Sequence, residues 1–182
     1  MRTFPLVVAL AAAVLAGCTA TPDDATPSPP STGQSVTPVS NPKDARGVEP
    51  RALLTAAQAT TLGLDPARAK PGFTADLIDC RWPAAQPPVI SVSVTVDTNP
   101  TRGGLTDTYL KRSTFPIFEP LVVEGYPAVR AEYGPSDGCT IYVGLSEHQD
   151  IRVSAGARSP TDTCALVKRA IAAMLTNLPP QR

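Results

Sequence analysis

The sequence predicts an α+β domain in which an antiparallel β-sheet carries an N-terminal and a C-terminal helix packed on one face. Two observations lead to this fold class. Short runs in the middle of the chain alternate between apolar and polar residues, which is typical of half-buried strands. Helical patterns precede and follow these runs, and helices segregated around a run of strands are typical of an antiparallel sheet.

The first predicted element is a short helix after Leu53-Leu54. Thr55 can cap its first backbone amides, and Gln58, three residues later, can reach back to complete a capping box. Alanine-rich sequence continues to Gly63. Glycine commonly ends a helix because it adopts the left-handed conformation without strain.

Strand patterns follow this helix. The clearest strand runs from Val89 to Val96, where Ile or Val alternates with Ser or Thr, so one side should be buried and the other exposed to solvent. The other expected strands are, in order, residues 77–82, 121–124, 128–133, 139–146 and 151–155. The last two are predicted to form an antiparallel hairpin around Glu147-His148-Gln149.

Three further features complete the predicted domain. A short amphipathic helix should follow Gly103-Gly104 and reach about Ser113, and a tight turn is expected at Gly125-Tyr126-Pro127. The last helix begins at Thr161 or Asp162. Its apolar residues recur at three- and four-residue spacing, which is typical of a buried stripe. They are Cys164, Val167, Ile171, Met174, Leu175 and Leu178.

The N-terminus predicts a lipoprotein signal peptide over residues 1–17. A basic residue, Arg2, precedes an apolar run from Phe4 to Val14, and this run is too short to span a membrane comfortably. Leu15-Ala16-Gly17-Cys18 resembles the bacterial lipobox, in which the cysteine thiol receives diacylglycerol. We therefore expect Cys18 to anchor the protein to the cell membrane on its extracytoplasmic side.

Residues 18–46 predict a disordered tether that is rich in Pro, Ser and Thr and nearly free of large apolar side chains. Such a segment cannot bury enough surface to offset its ordering entropy. Residues 47–182 are predicted to form one globular domain of about 135 residues, a length that supports a substantial core.

The composition argues against several classes of partner. Lys+Arg and Asp+Glu both number 16 and the pI is about 6.6, so the basic excess typical of nucleic-acid binding is missing. Aromatic residues make up only 5% of the chain, which disfavours a platform that stacks sugars on exposed rings. We expect no cofactor.

Metal and catalytic sites are also disfavoured. The three cysteines of the domain lack C-x-x-C spacing, and the chain has one histidine, His148, so no metal site is predicted. His148, Asp150 and a serine could in principle form a nucleophilic triad. However, the G-x-S-x-G motif is missing and His148 is expected at an exposed hairpin tip, so the protein is predicted not to be an enzyme.

The order of these features resembles an actinobacterial lipoprotein family known as domain of unknown function 3558, over about residues 48–180. The matching elements are Pro50 through Leu54 with the capped helix ending Leu62-Gly63-Leu64, Cys80-Arg81-Trp82, Gly125-Tyr126-Pro127-Ala128-Val129, Cys139, Asp162-Thr163-Cys164-Ala165 and Asn177-Leu178-Pro179. The resemblance implies a surface location and a domain shape, and it supplies no activity.

The cysteine pairing follows from this comparison and from the predicted elements. Members of that family usually carry a fourth cysteine before the first helix, where this chain has Arg51. The hairpin that begins at Cys139 returns to the same sheet end shortly before the helix that carries Cys164. We therefore expect a Cys139–Cys164 disulfide and a free, buried Cys80 thiol. A disulfide from Cys80 to Cys139 or Cys164 is the alternative.

Together these features predict a lipid-anchored, non-enzymatic binding or accessory module on the outer face of the cytoplasmic membrane. Its partner would be an envelope protein, a cell-wall component or a small apolar ligand. An extracytoplasmic hydrolase with an unrecognised site is the alternative.

Overall fold

Seven antiparallel strands form one sheet in the computed structural model, which describes residues 35–134, 138–158 and 162–182. The strands are β1 (Lys70–Phe73), β2 (Leu77–Pro83), β3 (Val89–Asp97), β4 (Ile117–Val123), β5 (Tyr126–Glu132), β6 (Cys139–Gly144) and β7 (Asp150–Ala157). The α-helices are α1 (Ala56–Thr61), α2 (Leu105–Leu110) and α3 (Thr163–Asn177). Short 3-10 turns lie at Pro50–Leu53, Pro66–Arg68 and Arg112–Thr114.

The sheet joins two meanders. Its order is β1-β2-β3-β7-β6-β5-β4, so β1 to β3 are neighbours in sequence and in space, and so are β4 to β7. The two groups meet where β3 pairs with β7, and α2 lies in the connection between them. The predicted antiparallel sheet with a C-terminal helix is therefore confirmed.

Helix α3 closes one face of the sheet. It packs on β6 and β7, and the Asp162 carboxylate caps its first turn by accepting a hydrogen bond from the Ala165 N–H at 2.8 Å. The residues that α3 buries are Thr163, Leu166, Val167, Ala170, Ile171, Met174 and Leu175. We call the side of the sheet beneath α3 the core face.

Alternate residues of the central strands fill this core. Val94, Ile151 and Val153 are at most 1% exposed, as the period-two pattern requires. Trp82 is also 1% exposed, so the single tryptophan of the chain packs in the core. At the start of β3, a register irregularity between Val89 and Ser91 leaves Ile90 40% exposed, although the alternation predicts burial there.

Helix α1 has the predicted capping box and contacts α3. The Thr55 hydroxyl accepts a hydrogen bond from the Gln58 N–H, and the Gln58 side chain accepts one from the Thr55 N–H. At the other end of the chain, the Asn177 side chain donates to Gln58 Oε1 at 2.7 Å and to the Leu53 carbonyl at 3.0 Å. These bonds join the start of the domain to the C-terminal end of α3.

Two local predictions are wrong. The polar connection before residue 77 forms the edge strand β1, which pairs with β2. The turn after β4 lies at Glu124-Gly125, with φ of 52° and 82°, and Tyr126 already pairs with Val123. Two consecutive left-handed residues are the geometry of a type I′ hairpin turn. Pro127 is tolerated in β5 because the described pairing with β6 begins one residue later, at Ala128.

The fold also begins earlier than the predicted boundary at residue 47. The Lys43 N–H donates to the Leu145 carbonyl at 2.9 Å, and Lys43 forms an isolated antiparallel β-bridge with Pro180. Ala45 is fully buried, and the Tyr126 hydroxyl donates to the Asn41 carbonyl at 2.7 Å. Residues 41–46 are therefore part of the packed domain. The predicted signal peptide, Cys18 and the tether up to residue 34 lie outside the described residues.

None of the helices in the described part of the chain combines the length and the apolar character needed to cross a membrane.

Candidate binding face of the sheet

The side of the sheet opposite α3 is polar, and we call it the polar face. Its side chains come from the residues that alternate with the core positions, and they are half-buried or exposed. On the four central strands the polar face consists of Asp79, Arg81, Ser93, Thr95, Asp97, Thr140, Tyr142, Asp150, Arg152 and Ser154.

The strand register arranges these side chains in rows across the sheet. One row runs through Arg81, Ser93, Ser154 and Thr140 on β2, β3, β7 and β6. The next row, two residues along each strand, consists of Asp79, Thr95, Arg152 and Tyr142. Because each row draws on four strands, hydroxyls and charges far apart in sequence lie side by side.

An aromatic cluster covers this side of the sheet at the edge formed by β5 and β4. Leu105 of α2 and Phe115 pack on Val129 of β5, and the Tyr109 and Phe118 rings meet edge to face at 5.1 Å between centroids. These residues bury the β4–β5 end. Farther across the sheet, Arg81 on β2 and Arg152 on β7 are exposed, so the polar face is open to solvent there.

A shallow groove of about 490 Å³ follows the row that contains Ser93, Ser154 and Thr140. We call it the hydroxyl groove. Its walls include Ser93, Thr140 and Ser154, and at one end the Arg81 Nε–H donates to Ser91 Oγ at 3.0 Å. This groove offers hydroxyl donors and acceptors with one guanidinium at its edge. It can form hydrogen bonds to a polar ligand.

A second cleft, of about 330 Å³, lies between α2 and the ends of β3 and β7. We call it the charged cleft. It is lined by three carboxylates and three cations, which are Asp97, Asp107, Asp150, Arg102, Lys111 and Arg152, together with uncharged residues that include Tyr142 and Leu77. The Arg102–Asp97 pair, at 3.6 Å, is the ion pair within this set.

Asp150 has the most unusual environment in the charged cleft. Burial raises the pKa of its carboxyl to about 6, and the negative charges of Asp97 and Asp107 add to the effect, while Arg152 opposes it. Asp97 and Asp150 lie directly opposite each other across β3 and β7. Like charges in this position destabilise a sheet, and a perturbed carboxyl in a cleft is a mark of functional sites.

A third cavity, of about 480 Å³, lies between the N-terminal segment, the start of α2 and the β6–β7 hairpin. Val36, Val39 and Leu105 supply much of its apolar wall, and Ser146 also lines it. The Ser146 hydroxyl is buried without a hydrogen-bond partner.

The structure joins Cys139 to Cys164, the pair that the sequence favours, in a disulfide with a Cα–Cα distance of 5.1 Å. This bond links the start of β6 to the first turn of α3 on the core face. Cys80 is a free, buried thiol. Burial raises its pKa to about 11, so it carries little of the reactive thiolate at neutral pH.

Glu132 lies beside this disulfide. One of its oxygens accepts a hydrogen bond from the Arg130 Nε–H at 2.7 Å, and the other is buried without a partner. The Glu132 oxygen and the sulfurs of Cys139 and Cys164 lie within 4.8 Å of one another. However, both sulfurs are engaged in the disulfide, so the group lacks the thiolates that a metal would require.

His148 lies at the exposed β6–β7 turn. Its Nδ1 is 2.9 Å from the Arg102 carbonyl oxygen, and its Nε2 is 4.0 Å from a Glu147 carboxylate oxygen. Since a carbonyl only accepts, the Nδ1 contact requires the ring proton on Nδ1. The ring forms no hydrogen bond to a serine within the described ranges, so the geometry of a nucleophilic triad is not assembled there.

The charged cleft could not be located from the sequence alone. The alternation in β3 and β7 indicates that Thr95, Asp97, Asp150 and Arg152 point away from the core. The pairing of β3 with β7, and the position of Asp107 on α2, depend on long-range contacts that no local pattern specifies.

The comparisons with known proteins give one match. A family described as "Protein of unknown function (DUF3558)" matches residues 13–177 of the chain. No curated protein and no solved structure matches the chain. The match extends over most of the 182 residues and includes the predicted lipobox cysteine as well as the whole sheet. The chain therefore belongs to the DUF3558 family of proteins of unknown function.

Proposed function

We propose that this protein is a lipid-anchored, non-enzymatic module of the actinobacterial cell envelope that binds a polar ligand or an envelope protein on its polar face. The observation that carries the proposal is the contrast in burial across the sheet. Four strands present exposed or half-buried hydroxyls and charges in register on the side opposite α3. A surface of converging polar groups above a rigid sheet can recognise a ligand without a loop having to fold around it.

The lipobox supports the anchoring part of this proposal. Cys18 follows small residues at the end of an apolar run that has the length of a signal-peptide core. Two acyl chains on its thioether-linked glycerol would each contribute about 0.8 kcal/mol per buried methylene, which is sufficient for stable attachment. The domain would then lie on the outer side of the cytoplasmic membrane.

The tether sets how far the domain can reach. Between Cys18 and Val36, which packs on the aromatic cluster, the chain has about 18 residues that would span roughly 21–25 Å as a flexible coil. Stretched as a polyproline helix, the same segment would reach roughly 55 Å. The polar face could therefore contact ligands in the space outside the membrane while the protein stays attached.

The polar lining favours a polar ligand over the small apolar one considered from the sequence. Both clefts on the polar face are lined by hydroxyl or charged side chains. A hydrolase would need a nucleophile activated by a base. Hydrolytic activity of the purified protein that is lost on His148→Ala would favour that alternative.

Anchoring is tested by Cys18→Ser. We expect the variant to leave the detergent phase and to appear in the soluble fraction, because it cannot receive the acyl chains. Unchanged detergent partitioning of Cys18→Ser would contradict the lipid anchor.

Binding is tested by native mass spectrometry of the full-length protein extracted from its own membrane. We expect a non-covalent adduct on the wild type that Ser93→Trp removes, since the indole would fill the hydroxyl groove. Lys168→Trp, on the exposed side of α3, is the matched control and should keep the adduct. Loss of the adduct in both variants, or in neither, would contradict binding at the polar face.

A further inference from the structure

Most of the six charged side chains that line the charged cleft have no ion-pair partner within 4.0 Å in the described ranges. Asp150, Lys111 and Arg152 all line it. None of the three forms an ion pair with any residue in the described ranges. A cleft with separate, unpaired charges of both signs is suited to a ligand that also carries both.

The acidic side of the cleft is assembled from three elements. Asp97 ends β3, Asp150 begins β7 directly opposite it, and Asp107 lies on α2. Arg102 partly neutralises Asp97 at 3.6 Å, whereas Asp150 faces the other two carboxylates. The like charges of Asp97 and Asp150 weaken the β3–β7 pairing, and a bound cation would remove that cost.

The basic side lies next to it. Arg152 is two residues beyond Asp150 on the same face of β7, which places the two Cα atoms about 7 Å apart. Lys111 follows the last turn of α2 and lines the same cleft. Tyr142 and Leu77 supply less polar surface around the charged groups.

We propose that the charged cleft binds a small zwitterion with a primary ammonium group and a carboxylate, such as an amino acid or a short peptide. The ammonium group would lie among Asp97, Asp107 and Asp150, and the carboxylate would lie toward Lys111 and Arg152. The two ends of a dipeptide are about 5–7 Å apart, since each residue spans at most roughly 3.6 Å, which is comparable with the separation of the Asp150 and Arg152 Cα atoms. The inference rests on the proposed function, because it names the ligand class for one part of the polar face.

A divalent metal ion fits this cleft less well. In the described ranges, the set of three potential ligand atoms that lie within 4.8 Å of one another is Glu132, Cys139 and Cys164, so the three aspartates do not converge tightly enough to form a comparable cage. An ammonium group donates three separate hydrogen bonds and tolerates carboxylates that are farther apart.

Binding of the ammonium group should depend on pH through Asp150. Asp97 and Asp107 face it and raise its pKa, Arg152 lowers it, and Arg102 and Lys111 also line the cleft. Because the pKa of Asp150 is about 6, roughly one tenth of it is ionised at pH 5 and nearly all at pH 7.5. Affinity for an ammonium ligand should therefore fall severalfold, and by up to about tenfold, when the pH is lowered from 7.5 to 5.

The test uses three peptides and the full-length protein in detergent. Alanyl-alanine carries both charges, N-acetyl-alanyl-alanine lacks the ammonium group, and alanyl-alanine amide lacks the carboxylate. We expect isothermal titration calorimetry at pH 7.5 to show at least tenfold tighter binding of the first peptide than of either blocked form. Asp150→Asn should lower the preference for the free amine severalfold, and Arg152→Gln should lower the preference for the free carboxylate severalfold. Lys168→Gln on the exposed side of α3 should keep both.

Equal binding of the three peptides, or no binding of alanyl-alanine at millimolar concentration, would overturn the zwitterion site. So would unchanged preferences in Asp150→Asn and Arg152→Gln, provided that thermal unfolding shows both variants to be folded. The proposed binding at the polar face can survive the failure of the zwitterion site. If no peptide binds but the native adduct is still lost in Ser93→Trp, the polar face binds a ligand of another class.

Discussion

The two faces of the sheet are formed by alternate residues of the same strands, and they differ in what they contact. On β7, Ile151 and Val153 are fully buried beneath α3. Their neighbours Arg152 and Ser154 line clefts on the other side. One strand therefore contributes to the core with every second residue and to a solvent-facing surface with the residues between them.

This contrast separates the face that stabilises the fold from the face for which we propose binding. The core face buries aliphatic side chains and is linked covalently to α3 by Cys139–Cys164. The polar face includes two aspartates placed directly opposite each other, an arrangement that costs stability. We infer that the core face stabilises the fold enough for the polar face to carry groups that lower stability.

The largest effect is expected on the core face. Ile151→Ala removes a fully buried side chain, and it should lower the free energy of unfolding by about 2–5 kcal/mol, since a cavity remains. Ser154→Ala, three residues later on the polar face, should change it by less than about 0.5 kcal/mol. Urea unfolding of both variants measures the difference, and equal losses would contradict the division between the faces.

Removing the disulfide should have the next largest effect. The bond closes a loop with a sequence separation of 25, and its loss in a Cys139→Ser/Cys164→Ser variant should cost about 3 kcal/mol in the chain-entropy model. Cys80→Ser is the control that leaves the bridge intact. A non-reducing peptide map that joins Cys80 to either of the other cysteines would contradict the pairing.

On the polar face, a substitution should increase stability. The folded-state pKa of Asp150 is raised to about 6 from 3.8, so the folded protein binds a proton more tightly than the unfolded chain. The stabilisation of the folded state by this proton is fully present below about pH 4 and is lost as the pH rises through 6. Asp150→Asn should therefore raise the free energy of unfolding by up to about 3 kcal/mol at pH 7.5, with little difference near pH 4.

The stability of wild type and Asp150→Asn between pH 4 and 7.5 measures this effect. Asp44 does not interfere in that window, because its hydrogen bonds to Arg46 hold its pKa well below its usual range. A variant that is less stable than the wild type at pH 7.5 would contradict the unfavourable environment assigned to Asp150.

The smallest effect concerns the start of α3. Asp162→Ala removes the carboxylate that accepts the Ala165 N–H and should cost about 1 kcal/mol, as helix N-cap substitutions do. Asp162→Asn keeps an acceptor and should lose less. Thermal unfolding of the two variants distinguishes the cap from a general charge effect.

Local patterns were sufficient to predict most of the elements. The alternation in β3 and β7, the capping box at Thr55 and the apolar spacing of α3 each depend on residues close in sequence. The edge strand β1 was missed because Lys70–Phe73 contains a proline and a glycine, which disfavour strands. The left-handed conformation of Glu124, which shifts the turn, is uncommon for a non-glycine residue.

The proposed binding surface is harder to predict because it depends on register. Sequence alternation indicates which residues of β3 and β7 leave the core, but it does not indicate that Asp97 meets Asp150. That meeting results from inserting β7 between β3 and β6, a contact between segments more than 50 residues apart. No local pattern indicates that residues 41–46 pack on the domain, because their hydrogen bonds lead to Leu145, Gln149 and the C-terminus.

The most direct test of the division between the two faces is photocrosslinking in intact cells. A photoreactive amino acid is placed at Thr95, in the middle of the polar face, or at Lys168, on the exposed side of α3. We predict that position 95 captures an envelope component and that position 168 does not. Equal or stronger capture from position 168, or none from position 95, would contradict the assignment of binding to the polar face.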